Sequence, residues 1–494
     1  MKRFLPLAVL LYCSVAVAQT PTYREPYRPQ FHFSPAINWT NDPNGLVYYK
    51  GEYHLFYQYN PFDKVWGHMT WGHAVSKDLV RWQHLPIAIP EENGIMIFSG
   101  TCVADTDNTS GFGTPGAPPM VAIYTGHTDT NQSQHLAYSL DRGRTWKKYA
   151  GNPILDLHKK DFRDPKVFWY APKKYWVMVV VLPNEHIAQI YSSPNLKNWT
   201  HQSDFGPAGD TSSVWECPDL SAVPVEGAPG RRKWVLMNSV QNAMQYFVGG
   251  FDGVSFTNEN PPSVLRPDYG PDYYAAIAYN QLPVGQPPTT IGWANNWSYA
   301  RDIPTAPWRS AMSLPRILSV QKAGDTWLLL QKPLPALQSL RQATLANTSN
   351  ELLGGLKSLP VQSQQLELDL LMTPDTAATT GIRLAAGNGH AVEIGYDAAK
   401  KVLYLDRSKT AHQSFSKAFE ARKRFETALP LTDNRLRLHV FFDHSIVEVF
   451  ANEGEAVMTA QIFPDDADDG VQLFSRGGNS RIQSLKIWSM DPAW

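Results

Sequence analysis

Three short segments of the chain combine a carboxylate with a nearby proline at the head of an apolar run. They are Asn41-Asp42-Pro43-Asn44-Gly45, Phe162-Arg163-Asp164-Pro165 and Trp215-Glu216-Cys217-Pro218-Asp219. Read locally, Asp-Pro-Asn-Gly is turn chemistry: Pro presets φ and Gly tolerates the conformation that follows. Paired carboxylates are also what cleavage of a glycosidic bond requires, one ionised to attack and one protonated to donate to the leaving oxygen. Their environments must then push the two pKa values apart. Glu216 stands between the less polar Trp215 and Cys217, which is expected to raise its pKa and suits the acid role. Asp42, beside Asn41 and the amides of a turn, is expected to be held ionised. Arg163 next to Asp164 points to an ionised Asp164 suited to holding sugar hydroxyls.

Other chemistries find no support. Gly111-Phe112-Gly113-Thr114-Pro115-Gly116 matches G-x-G-x-x-G formally, but Pro115, Pro118 and Pro119 are incompatible with the helix start a dinucleotide site needs. His68 and His73 lack zinc-ligand spacing, no H-E-x-x-H is present, and no G-x-S-x-G nucleophile elbow occurs. No metal or organic cofactor is implied. The formal net charge of −1, with acids and bases interspersed, argues against nucleic acid or an anionic membrane as a partner. Six Asn-x-Ser/Thr triplets carry meaning only in a host that glycosylates.

The elements that must position the acids are strands. Most apolar runs are short, β-branched or aromatic, and bounded by Gly, Pro, Asn or Asp, so an all-β chain is expected. A serine–turn–tryptophan unit recurs at Ser76–Trp82, Ser139–Trp146 and Ser192–Trp199, with a diverged copy at Phe251–Phe256. A period of roughly fifty-odd residues is the span of a four-stranded blade with its loops, which predicts a β-propeller. Asp42, Asp164 and Glu216 lie at comparable distances ahead of Trp82, Trp199 and Phe256, and Ser99 holds a similar slot. All therefore fall near the start of a blade, on the strand that lines the central channel. Five blades are expected over residues 27–320, a Pro/Leu/Gln-rich linker over 321–345, and a β-sandwich over 346–494, where longer strands alternate cleanly. Residues 1–18 read as a cleavable secretory signal peptide, from Lys2 and Arg3, the apolar run Phe4–Val17 and the small-x-small site Ala16-Val17-Ala18. A secreted or periplasmic protein follows. Cys13 falls within that segment, and Cys102 and Cys217 could pair or remain buried thiols.

Taken together, these motifs resemble glycoside hydrolase family 32, the fructan-cleaving enzymes. The resemblance runs over essentially the whole mature chain, through Trp39–Gly45, Phe56–Pro61, Trp71-Gly72-His73-Ala74, Phe98-Ser99-Gly100, Arg163-Asp164-Pro165, Glu216-Cys217, Gly292-Trp293 and Asp443–Phe450. It implies a five-bladed propeller followed by a sandwich, with Asp42 as nucleophile, Glu216 as acid/base and Asp164 as transition-state stabiliser. It further implies that Asn41, Gln58, Trp66, Ser99, Arg163, Trp293 and Asp272 shape the pocket for a terminal fructose. Thr40 and Cys102 depart from residues more usual in the family, which touches local packing rather than catalytic groups. The segments Gly292–Trp297, Pro304–Arg309 and Trp66–His73 look most like the exo-acting fructosidases, which act on inulin, levan and sucrose. The alternatives are an invertase confined to sucrose, a fructosyltransferase, or a catalytically silent fructan-binding protein.

Overall fold

The computed structural model describes residues 22–494, Pro115 excepted; the expected signal peptide and Cys13 lie outside the described residues. Five antiparallel sheets succeed one another around a channel. Their innermost strands are Asn38–Tyr49, Met96–Ala104, Arg163–Tyr170, Trp215–Pro224 and Tyr274–Ala278, and these define blades 1 to 5. The recurring serine unit is the hairpin between the third and fourth strands of blades 1 to 3. In blade 1, Ser76 Oγ accepts from the Leu79 amide at 2.8 Å while Asp78 accepts from the amides of Val80 and Arg81. Ser139 with Asp141 and Ser193 with Asn195 build the same turn in blades 2 and 3. Side-chain oxygens that mimic a backbone turn explain why Ser, Asp and Asn recur at these positions.

No single core holds the ring. Each pair of neighbouring blades buries its own apolar layer, such as Val103, Ile123 and Leu136 of blade 2 against Phe162, Val167 and Met178 of blade 3. Blade 5 meets blade 1 in the same way, with Ile277 and Ile291 against Leu46 and Leu55. Hydrogen bonds add to the closure: Trp308–Arg309 pairs in parallel with Asn38–Trp39, and the Asn280 backbone bonds Leu46 and Tyr48.

The outer strands of blade 5 are Arg316–Ala323 and Thr326–Pro333, paired along their length. The expected linker over 321–345 is therefore corrected. Trp327 and Leu329 are buried against blade 4, and the polar and proline residues that read as a linker sit on an edge strand. Only a short 3-10 turn, Pro335–Leu340, precedes the next strand at Arg341. Two long strands, Arg341–Gln362 and Gly470–Met490, then run side by side through both halves of a β-sandwich. Leu436, Leu438, Val440 and Phe442 point into its core, as their alternation predicts.

The sandwich is sewn to the propeller. Residues 268–272 add along the free edge of strand Ala456–Gln461, with Tyr269 N to Val457 O at 2.8 Å and Asp272 N to Thr459 O at 3.1 Å. Gly270 permits this approach, since a Cβ there would lie 2.1 Å from the Thr459 carbonyl oxygen. Beside it runs a buried ion network. Arg316 donates to Asp268 at 2.9 Å and to Glu448 at 2.7 Å. His32 bridges Glu448 at 3.2 Å and Asp443 at 2.8 Å, and Asp443 also accepts the amides of Gln30, Phe31 and His32. The Asp443–Phe450 motif thus serves the domain junction.

Both ring nitrogens of His32 face carboxylates, and these raise its pKa from 6.5 to about 9 against the opposing effect of burial. Because the folded value lies above the unfolded one, the stabilisation is full below pH 6.5 and is lost as pH rises through 9. The stability advantage of wild type over His32→Gln, followed by urea midpoint, is expected to shrink across that window by on the order of 3 kcal/mol. A difference independent of pH would contradict a protonated His32.

Candidate active site

All five innermost strands carry a β-bulge at one level of the channel. In each, two residues oppose one on the neighbouring strand: Asn41-Asp42 opposite Gln58, Phe98-Ser99 opposite Thr125, Asp164-Pro165 opposite Val180, Cys217-Pro218 opposite Asn238, and Ala275-Ala276 opposite Gly292. A bulge breaks the alternation of side chains and re-aims them. Asp164, Cys217 and Ala275, the first bulged residues of blades 3 to 5, adopt φ of 66°, 48° and 52°. Such left-handed backbone in non-glycine residues is strained and clusters at functional sites. The acids are not at identical positions. Asp42 is the second bulged residue of its blade, Asp164 the first of its own, and Glu216 stands just before its bulge.

The bulges converge on a pocket of about 400 Å³. Of the residues expected there, Asn41, Asp42, Gln58, Trp66, Ser99, Arg163, Asp164 and Glu216 line it. Asp42 is buried; its Oδ2 accepts from Ser99 Oγ at 2.8 Å and lies 3.5 Å from Cys217 Sγ, while Oδ1 has no partner. Asp164 Oδ2 accepts from the Cys217 amide at 2.9 Å. The guanidinium of Arg163 reaches Glu216 Oε1 through Nη2 at 3.1 Å and Nε at 3.3 Å, and Asp161 through Nη1 at 2.9 Å. Tyr274 donates to the other Glu216 oxygen at 2.5 Å. Gln58 Nε2 is buried without a partner, a donor left for a ligand's hydroxyl.

Two expected residues lie elsewhere. Asp272 is fully buried in the domain junction, where its carboxylate takes Arg407 Nη1 at 3.2 Å, the Gln461 amide at 2.7 Å and the Tyr299 hydroxyl at 2.5 Å. It precedes its bulge by three residues and lies ahead of the strand Tyr274–Ala278, too early in the chain to reach the pocket. Trp293 is also fully buried and stands behind the wall, its ring packed on Trp297, which does line the pocket.

Burial dominates the electrostatics. It pushes the Asp42 carboxyl above its usual value, opposed by the neighbouring polar groups of Asn41 and Ser99 and assisted by the nearby Glu216 charge. It raises Asp164 to about 7, with Glu216 adding to the rise and Arg163 opposing it. The expectation that Arg163 keeps Asp164 ionised is therefore corrected: the guanidinium is committed to Glu216 and Asp161, and its Nε lies 4.0 Å from Asp164. Trp215, expected to provide Glu216 with an apolar setting, points instead into the core between blades 3 and 4. The immediate surroundings of Glu216 are Arg163 and Tyr274.

Models of glycosyl hydrolases family 32 match the chain over residues 32–333 for the N-terminal domain and 336–489 for the C-terminal domain. The chain belongs to glycosyl hydrolase family 32. Levanase of Bacillus subtilis (strain 168) is 44% identical over 99% of this chain and 74% of its own length. The extracellular exo-inulinase inuE of Aspergillus niger (strain ATCC MYA-4892 / CBS 513.88 / FGSC A1513) is 37% identical over 99% of both chains. The crystal structure of exo-inulinase from Aspergillus awamori superposes with a TM-score of 0.91 at 37% identity, covering 96% of this chain and 100% of that one. Five bulged inner strands around one pocket are how this family 32 chain builds a carboxylate site on a propeller.

Residues missed in the sequence also line the pocket: Phe98, His127, Gln132, Asp161, Trp297 and Arg301. Gln132 and Asp161 both bond Arg163, and Phe98 stacks on His127 with centroids 4.2 Å apart. Asp161 and Phe98 adjoin motif residues and were open to detection on that ground. Arg301 lies on a turn and His127 ends the second strand of blade 2, Met120–His127, and only the fold brings them to the pocket.

Because the folded pKa of Asp164 exceeds the usual 3.8, its carboxylate costs the fold stability at neutral pH. Asp164→Asn is expected to match wild type in thermal unfolding near pH 4 and to exceed it at pH 8, by on the order of 4 kcal/mol. A wild type that stays the more stable at pH 8 would show Asp164 to be held ionised.

Proposed function

We propose that the protein is a retaining exo-β-fructofuranosidase that releases terminal β-D-fructofuranosyl residues from fructans and sucrose. The observation that carries this reading is a pocket closed at its base, with a buried carboxylate oxygen left unpaired. Below the acids the channel is filled. Asn280 Nδ2 donates to Thr101, Cys102 and Val167, and Lys166 Nζ donates to the Ala278 carbonyl at 2.6 Å and pairs with Asp219 at 3.3 Å. Such a pocket accepts a chain end and excludes a continuous polymer, which favours exo action. The relatives, a levanase and an exo-inulinase, accord with a fructan substrate.

In this mechanism Asp42 Oδ1 attacks the anomeric carbon of the terminal fructosyl unit while Glu216 protonates the departing oxygen. The product is a fructosyl ester on Asp42. Glu216, now a carboxylate, takes a proton from water, which attacks the same carbon and frees Asp42. Asp164 accepts hydrogen bonds from fructose hydroxyls, and Gln58 Nε2 supplies a donor. Retention calls for carboxyls of Asp42 and Glu216 about 5–5.5 Å apart with substrate bound. Trp66 and Phe98 give the sugar an apolar wall, edge to face at 6.0 Å.

Export is part of the same proposal. The amino-terminal segment has the pattern of a signal peptide, the Aspergillus relatives are named extracellular, and no helix among the described residues is long and apolar enough to cross a membrane.

Asp42→Asn is expected to lower kcat more than roughly a thousandfold with the fold unchanged by circular dichroism. Near-wild-type turnover would reassign the nucleophile. Incubation with inulin, levan and sucrose is expected to yield fructose as the only product from the polymers and fructose with glucose from sucrose. Short oligosaccharides would indicate endo action, growing chains would indicate transfer, and an unchanged mixture would indicate a binding protein.

A further inference from the structure

Away from the pocket, three segments of the sandwich bring histidine and aspartate side chains together at one edge. The strands Thr379–Gly387 and His390–Asp397 are joined by the two-residue turn Asn388-Gly389, with φ of 49° and 86°, which sets His390 at the head of its strand. Residues 462–469 lead into the long strand Gly470–Met490. Gln364 Nε2 pins them, donating to the carbonyls of Asp465 at 2.7 Å and Asp468 at 3.1 Å. Gly387 admits this segment against the hairpin, since a Cβ there would lie 2.6 Å from the Ala467 carbonyl oxygen. The third segment follows the strand Val402–Lys409 and carries His412, and the His412 amide donates to the Phe463 carbonyl at 3.1 Å.

One donor atom from each of His390, Asp465 and Asp468 lies within 4.8 Å of the other two. His390 Nδ1 is 2.7 Å from Asp468 Oδ2 and 3.9 Å from Asp465 Oδ2. Around tetrahedral zinc, nitrogen and oxygen ligands at about 2.0–2.1 Å stand about 3.3 Å apart, so each separation needs to change by only about 0.6 Å. The other Asp465 oxygen takes His412 Nε2 at 2.7 Å, the kind of hydrogen bond that orients a ligating carboxylate.

Asp468 supplies an independent sign of a ligand. It is fully buried, and among the described residues His390 is the one basic side chain that pairs with it. Its Oδ1 has no hydrogen-bond partner among those residues. A buried acceptor left unpaired is costly, and a cation on the carboxylate offsets that cost.

We propose that His390, Asp465 and Asp468 form a divalent-cation site that takes zinc, with His412 holding Asp465 in place. The imidazole selects zinc over calcium and magnesium, which prefer oxygen ligands. The ion ties the hairpin at Gly387–His390 to residues 462–469. Phe463, in the latter segment, packs in one apolar cluster with Tyr299 and Ile303 of the propeller. The site is thus a clamp beside the domain junction, and it stands or falls independently of the reading of the carboxylate pocket.

The test uses the whole chain, stripped with a chelator and titrated with zinc chloride by calorimetry and by thermal unfolding. A single zinc ion is expected to bind, and free zinc at about a hundredfold excess over Kd is expected to raise Tm by about 3 °C. Calcium or magnesium chloride at the same concentration is expected to leave Tm unchanged. His390→Gln and Asp465→Ala are each expected to weaken zinc binding at least about 100-fold, and His412→Gln about 10- to 100-fold. Because Cys217 stands beside Asp42 and Asp164, Asp164→Asn serves as the control for zinc in the pocket and is expected to bind it as wild type does. No binding by wild type, or wild-type affinity in His390→Gln, would overturn the proposal. So would an equal Tm shift with calcium or magnesium, or loss of binding in Asp164→Asn. Should His390→Gln not fold, Asp465→Ala decides in its place, at a side chain 44% exposed, and wild-type affinity in that variant overturns the site.

Discussion

Asp42, Asp164 and Glu216 crowd together at the mouth of the propeller channel, with Arg163 paired to Glu216 and 4.0 Å from Asp164, and that crowding is what the rest of the fold has to sustain. Asp42 and Asp164 are nearly out of water, and both have pKa values pushed up by burial. Groups so placed oppose the compact state at neutral pH unless the backbone leaves them no alternative. The bulges provide that constraint. Two residues opposite one, repeated on every inner strand at the same level, turn consecutive side chains toward the axis that a regular strand would send to opposite faces. The cost of left-handed backbone at Asp164, Cys217 and Ala275 is met by apolar layers between the blades and by strand pairing on either side of each bulge.

The sandwich contributes to the same end without touching the pocket. It accepts residues 268–272 along its edge, ties Arg316 into Glu448 and Asp268, and holds Asp272 through Arg407. Breaking a buried pair of this kind leaves an uncompensated charge, which makes the junction far harder to lose than to keep. Tyr274 emerges from the end of that sewn segment to meet Glu216. The two domains are therefore coupled mechanically at Glu216 rather than through a shared binding surface.

Much of this was legible in the sequence. The spacing of Asp42, Asp164 and Glu216 against the serine–tryptophan hairpins placed all three on inner strands, and the hairpins themselves follow from side-chain chemistry that is local. What escaped was whatever depends on the bulges or on the other domain. Arg163 looked like the partner of Asp164 because they are adjacent in the chain, yet the bulge starting at Asp164 sends the guanidinium to Glu216. Asp272 was expected in the pocket only because the family resemblance implies it, yet its partners, Arg407 and Gln461, lie far along the chain. The residues over 321–333 looked like a linker because an edge strand can carry the Pro, Lys and Gln that an interior strand cannot.

The central claim is that Asp42, with its one unpaired oxygen, is the group on which the fructosyl unit is carried. It is tested most directly by mixing a Glu216→Gln variant with β-D-fructofuranosyl fluoride, quenching in acid, and mapping peptides by mass spectrometry. Glycosylation then proceeds without an acid while hydrolysis of the ester lacks its base. The account predicts one fructosyl unit on the peptide containing Asp42, located to that side chain by fragmentation and absent from the same variant carrying Asp42→Asn. A label on Asp164, or turnover of the fluoride with no labelled enzyme at any quench time, would contradict it.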